Sequence, residues 1–134
     1  MNVLVDTCIW SLALRRSSLQ DISEVMELRE LISEQRVLIL GIVRQEILSG
    51  IREELNFIRL RDHLRAFLDI QLVTEDFECA AEFFNICRTN GIQGSNTDYL
   101  ICSVACRLNV PILTTDADFI KYSQFIPIRL HASR

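Results

Sequence analysis

Two aspartates in this sequence stand where a short apolar run stops: Asp6 directly after Asn2–Val5, and Asp116 after Pro111–Thr114 and one further threonine, Thr115. Both runs read as β-strands, and parallel α/β sheets place their sites outside the carboxyl ends of the strands. Asp98 opens an apolar helical stretch that runs to Leu108. Glu46 lies one turn into a helix over Ile42–Ser49, with Val43, Ile47 and Gly50 on nearly the same face, so it is expected to lean partly toward the core. Taken singly, these acids have plain structural explanations: an N-cap carboxylate for Asp6, a helix-dipole carboxylate for Asp98. Asp118 reads equally as a further ligand or a solvated cap.

Topology gives the set its meaning. A helix that feeds a parallel strand must run antiparallel to it, so the helix carrying Asp98 starts at the edge where the strands end. The helix carrying Glu46 follows the strand Val37–Leu40 and starts at that edge too. Four carboxylates gathered there repel one another unless cations neutralise them. Oxygen-only ligation without His or Cys favours Mg2+ or Mn2+ over Zn2+. Such ions orient and deprotonate a water and stabilise charge building on a phosphodiester during in-line displacement. Other chemistries lack their parts. No phosphate-cradling GxxxxGK[ST] or GxGxxG loop occurs, and the two histidines are His63, in a charged helical stretch and expected at the surface, and His131 near the terminus. Ser103 and Thr115 have no evident base nearby, which leaves a covalent nucleophile unsupported.

The elements that must position these acids alternate short β-like runs with longer helical ones, the pattern of an α/β domain with a mainly parallel sheet. Five strands are expected, at Asn2–Val5, Val37–Leu40, Ile70–Val73, Pro111–Thr114 and Pro127–Leu130. Helices are expected at Cys8–Leu14, Asp21–Glu34, Ile42–Ser49, Glu53–Leu68, Asp76–Asn90 and Thr97–Leu108, with a short one after Asp116. In the second of these, Ile22, Val25, Met26, Leu28 and Ile32 form the apolar face. The stretch 88–97, with two glycines and several small polar residues, is the clearest loop.

At 134 residues the whole chain, 1–134, fits one domain. A composition of 49% hydrophobic and 24% charged residues is that of a folded globular protein. No apolar run approaches the roughly 20 residues of a membrane helix, and the opening lacks a signal peptide's basic start and apolar stretch, so a cytoplasmic protein is expected. The five cysteines, Cys8, Cys79, Cys87, Cys102 and Cys106, form no CxxC and are expected as buried free thiols. A net charge of −4 excludes a broad basic surface for nucleic acid but not a nuclease, since an acidic metal site itself lowers the formal charge.

Together these pieces resemble the PIN domains, and within them the VapC-type toxins of bacterial toxin–antitoxin pairs. The matching segments are Val5-Asp6-Thr7, Glu46-Ile47-Leu48 with Gly50, Asp98 with Leu100-Ile101 and Ala105, and Leu113-Thr114-Thr115-Asp116 with Asp118-Phe119, spread over essentially the whole chain. The resemblance implies a three-layer α/β/α sandwich on a mainly parallel five-stranded sheet, an endoribonuclease dependent on Mg2+ or Mn2+, a homodimer, and a cognate antitoxin covering the groove near the acids. It makes Asp6, Glu46, Asp98 and Asp116 the catalytic and metal-binding acids, with Asp118 a helper and Thr7 and Thr115 in support. Cys102 stands where a small alanine-like residue is usual. Arg44 and Arg52 are candidates for RNA backbone contact, against a salt-bridged surface with Glu53, Glu54 and Asp62 as the other reading. Two further functions compete. A PIN-like RNA- or protein-binding module without catalysis gives no reason to gather four acids, and a receiver-type domain using Asp116 and Asp118 leaves Glu46 and Asp98 unexplained and has no suitably placed lysine, Lys121 being the only one.

Overall fold

The computed structural model describes residues 1–14 and 22–134, so the expected helix start at Asp21 lies outside the described residues. The strand β1 (Val3–Val5) has all three side chains fully buried, which explains why it is a continuous apolar run and not an alternating one. It is central. β2 (Val37–Leu38) pairs with it in parallel on one side and β3 (Ile112–Leu113) on the other, in register Val3 with Val37 and Leu4 with Ile112.

Seven helices stand between and after the strands among the described residues: α1 (Thr7–Leu14), α2 (Ser23–Ser33), α3 (Gly41–Leu48), α4 (Glu54–Leu64), α5 (Thr74–Thr89), α6 (Asn96–Leu108) and α7 (Asp118–Ser123). α1 packs on α2 and α3, and α3 on α4, while α5 and α6 form the most extensive helix pair. In α2 the buried side chains are Val25, Glu27, Leu28 and Leu31, whereas Met26 and Ile32 are exposed. The buried face is thus turned from the expected one, because His131 and Arg134 reach Glu27 and draw that side of the helix inward.

The two outer strands expected at Ile70–Val73 and Pro127–Leu130 shrink to single parallel bridges, Asp69 with Ile39 and Leu130 with Ile112. They sit at the two edges of the three-stranded ladder, and each is cut short for a local reason. After Ile70 the chain turns at once into α5, whose first turn is tied back by the Val73 N–H donating to Asp76 Oδ2 at 3.0 Å. Pro127 has no N–H to give to a ladder. All five cysteines are free; Cys87 and Cys102 are buried, and Cys8, Cys79 and Cys106 partly so. His63 is exposed, as expected. No described helix is long and apolar enough to cross a membrane.

One ion pair fixes the α5–α6 unit. The Asp76 carboxylate, 1% exposed, accepts from Arg107 Nε at 2.6 Å and Nη2 at 2.9 Å, and Ser103 Oγ donates to the Asp76 carbonyl at 2.8 Å. Burial pulls the Asp76 carboxyl upward, but the Arg107 and Val73 donors outweigh it and hold it below the ordinary 3.8. A carboxyl depressed in the folded state contributes stability above its unfolded value and loses it as pH falls through the folded one. Asp76→Ala should therefore lower unfolding stability by about 1–3 kcal/mol at pH 7, the arginine being partly able to rehydrate. In urea titrations the gap to the parent should narrow as pH drops below about 4; an unchanged gap at pH 3 contradicts the assignment.

Candidate active site

β1 and β3 end side by side, with Asp6 the first residue beyond β1 and Asp116 the third beyond β3. The Asp6 N–H still donates to the Leu113 carbonyl at 3.0 Å, so its side chain leaves the sheet at the carboxyl edge, 6% exposed. Its Oδ1 accepts the N–H of Thr7 at 2.8 Å, and its Oδ2 accepts Thr114 Oγ1 at 2.8 Å and Cys8 Sγ at 3.3 Å. The backbone donor is the adjacent residue, not the second or third of the helix as an N-cap would use. Thr114 ties the two strand ends together: the same hydroxyl that donates to Asp6 accepts the Asp116 N–H at 3.0 Å.

Asp98 arrives on the first turn of α6, where its N–H donates to the N-cap Ser95 Oγ at 3.0 Å and its Oδ2 accepts the Tyr122 hydroxyl at 2.7 Å. Burial pushes the Asp6 carboxyl above the ordinary carboxylate range against three lowering hydrogen bonds, and the nearby Asp116 charge adds to the push. Asp98 is likewise raised, first by burial and then by the charges of Asp6 and Asp116, against the Tyr122 and Ser95 bonds. Asp6 thus lies within reach of the Asp116 charge, and Asp98 within reach of the charges of Asp6 and Asp116.

Glu46 comes from the other side. Val43 and Ile47 take the core face of α3, and Glu46 is exposed, contrary to the expected lean inward. Its Oε1 accepts Thr7 Oγ1 at 2.8 Å. Because Thr7 also gives its N–H to Asp6, this one residue links the exposed glutamate to the buried aspartate. Asp116 Oδ1 accepts the Asp118 N–H at 2.9 Å at the start of α7. The Asp118 carboxylate pairs with Lys121 at 3.6 Å.

Three participants escaped the sequence reading. Thr114, not Thr115, carries the hydroxyl on the acids; Thr115 is exposed and donates its hydroxyl to Cys8 Sγ at 3.3 Å. Cys8 and Tyr122 were the others, and only the i+2 spacing of Cys8 from Asp6 hinted at either. Arg44 directs Nε to Asp69 at 2.9 Å and its other nitrogens to the Leu64 and Phe67 carbonyls at the end of α4, so its guanidinium is occupied within the fold. Arg52 is exposed in the connection between α3 and α4.

Among the described residues, no group of three or more His, Cys, Asp or Glu side chains forms a ready metal cage. The donor set nevertheless fits a hydrated Mg2+ or Mn2+: hard oxygens only, like charges that burial and mutual repulsion penalise, and hydroxyls occupying the oxygens a cation would relieve. Mg2+ in particular keeps several waters and needs just one or two direct carboxylates.

Fold and site together define a class: a parallel α/β domain with a carboxylate pocket at the carboxyl ends of its strands. The chain belongs to the PIN domain family, whose sequence model matches residues 3–124. Its backbone is similar to the crystal structure of VapBC2 from Rickettsia felis bound to a DNA fragment from their promoter, with TM-score 0.77, 20% identity and 98% of each chain covered. It is also similar to FitAcB from Neisseria gonorrhoeae, with TM-score 0.73, 18% identity and 97% of this chain against 96% of that one. A third likeness is to VapBC-1 from nontypeable Haemophilus influenzae, with TM-score 0.76, 15% identity and coverage of 98% and 97%. No curated protein matches the chain in sequence.

Proposed function

We propose that this PIN domain is a metal-dependent endoribonuclease, the toxin of a toxin–antitoxin pair, with Mg2+ or Mn2+ as its cofactor and RNA as its substrate in the cytoplasm. The observation that carries the proposal is the electrostatic pressure that burial and neighbouring carboxylates put on Asp6 and Asp98 at one sheet edge, with Glu46 joined to Asp6 through Thr7. A structural role gives no return for that pressure; a bound cation does.

Asp6, Asp98 and Asp116 would hold the ion, with Asp118 close behind on α7. When bound, the ion supplies an acidified water and neutralises charge gathering on the scissile phosphate. Thr7 and Thr114 fix the Asp6 oxygens in place, so little reorganisation is needed as charge develops. Glu46 Oε1 is anchored by Thr7, which leaves Oε2 to accept the proton of the attacking water at the solvent side of the pocket. Arg52, exposed beyond α3, is available to the RNA backbone, while Thr115 supports the acids through Cys8.

Two partners complete the proposal. A cognate antitoxin would cover the groove beside the acids, in keeping with structural neighbours solved as VapBC and FitAB. A second copy of the chain would cover the cavity of about 450 Å³ lined by Ile42, Phe77, Ala80, Phe84 and Leu100, where Phe77 is 55% exposed. That face adjoins the starts of α3 and α6, so a dimer across it sets two pockets near each other.

Purified chain free of any partner should cleave RNA with Mg2+ or Mn2+ and stop on chelation. Asp6→Asn should lower the rate at least about a hundredfold while circular dichroism remains that of the parent; a folded variant that cleaves at the parent rate removes Asp6 from the site. Light scattering should give a dimer for the parent and a monomer for Phe77→Glu, and a parent that is monomeric at tens of micromolar contradicts the interface.

A further inference from the structure

The residue holding Asp98 is itself unusual. Tyr122 lies in α7, fully buried, with its ring 5.0 Å from that of Tyr99 and edge-on to Phe119 at 5.2 Å. Phenylalanine would fill that space equally well. Most buried hydroxyls are hydrogen-bonded, and this one donates to Asp98 Oδ2 at 2.7 Å. With the N–H of the same residue on Ser95 Oγ, the bond leaves Asp98 little freedom and commits one of its two oxygens.

The loop before α6 is shaped around that hydroxyl. A Cβ placed on Gly94 would collide with Tyr122 Oη and lie 2.8 Å from both Tyr122 Cζ and Tyr99 Oη. Gly94 is thus the floor of the tyrosine's seat. α7 begins two residues after Asp116, whose carboxylate accepts the Asp118 N–H. The short helix consequently connects an acid at the end of β3 to one at the start of α6: Asp116 accepts the N–H of its first residue, and its fifth residue donates to Asp98.

We propose that Tyr122 is a positioning residue of the metal site: its hydroxyl, seated on Gly94, holds the Asp98 carboxylate so that the oxygen it leaves uncommitted is presented to the divalent ion beside Asp6. This rests on the metal-dependent function proposed above. A hydrogen bond that orients a metal-binding carboxylate in this way is worth roughly 10–100-fold in metal affinity or activity, and it does not add to the cation's own ligand count.

The test uses the full, partner-free chain and Mn2+ alone, with free Mn2+ read by electron paramagnetic resonance and folding by thermal melts in chelator. Tyr122→Phe should raise the Mn2+ dissociation constant about 10–100-fold while melting within a few degrees of the parent. Gly94→Ala should reproduce the loss, because its methyl group takes the hydroxyl's space. Tyr99→Phe, which alters a neighbouring buried phenol that does not donate to Asp98, should bind as the parent does. Parent-like affinity in Tyr122→Phe or Gly94→Ala, or an equal loss in Tyr99→Phe, overturns the positioning role and leaves the metal site standing. A parent chain that binds no Mn2+ overturns the metal site and this role with it.

Discussion

Like-charge crowding at the end of β1 and β3 is the constraint around which the molecule is organised. Asp6 and Asp98 are raised by burial and by neighbouring carboxylates, and every hydrogen bond they accept works against that rise without cancelling it. A fold tolerates such a site only if the surrounding frame is rigid enough to hold groups that would separate if free. Here the frame is the fully buried β1, flanked by parallel partners, and the α5–α6 unit locked by Asp76 and Arg107. Asp6 directly follows β1, and Asp98 stands in the first turn of α6.

Positioning then falls to hydroxyl-bearing side chains at or near element ends. Thr7 joins Asp6 to Glu46, Thr114 joins Asp6 to the Asp116 backbone, and Tyr122 joins α7 to Asp98. Each is a hydroxyl carried on a helix or at a strand end, not on a long loop, which is how a carboxylate is kept from swinging to solvent. These donors neutralise no charge. They orient oxygens, and in the proposed function the uncompensated charge would draw a hard divalent ion and, through it, a phosphodiester.

Much of this was legible in the sequence, because the features concerned are local or topological. The apolar run Val3-Leu4-Val5 announces a doubly covered strand, Asp6 and Asp116 follow from strand ends, and Asp98 follows from the direction a crossover helix must take. The remainder depended on three-dimensional detail. The outer strands faded to single bridges at Asp69 and Leu130 because α5 capping and Pro127 intervene. Periodicity placed Glu46 toward the core, yet Val43 and Ile47 occupy that face and the glutamate is exposed. Adjacent threonines look alike in one dimension, and only the packing of β3 decides that Thr114 meets Asp6. Tyr122 reads as one more aromatic in a short helix, and its hydroxyl's partner lies 24 residues back. Arg44, with a guanidinium suited to phosphate, is occupied by carbonyls at the end of α4.

Where a divalent cation settles decides most directly whether these carboxylates form a metal site. Crystals of the partner-free chain soaked in Mn2+ and measured for anomalous scattering should show manganese bonded to at least one carboxylate oxygen of Asp6, Asp98 or Asp116, at about 2–2.3 Å. Manganese found solely elsewhere, or absent at millimolar concentration while Thr114 and Tyr122 keep their bonds to Asp6 and Asp98, would contradict it.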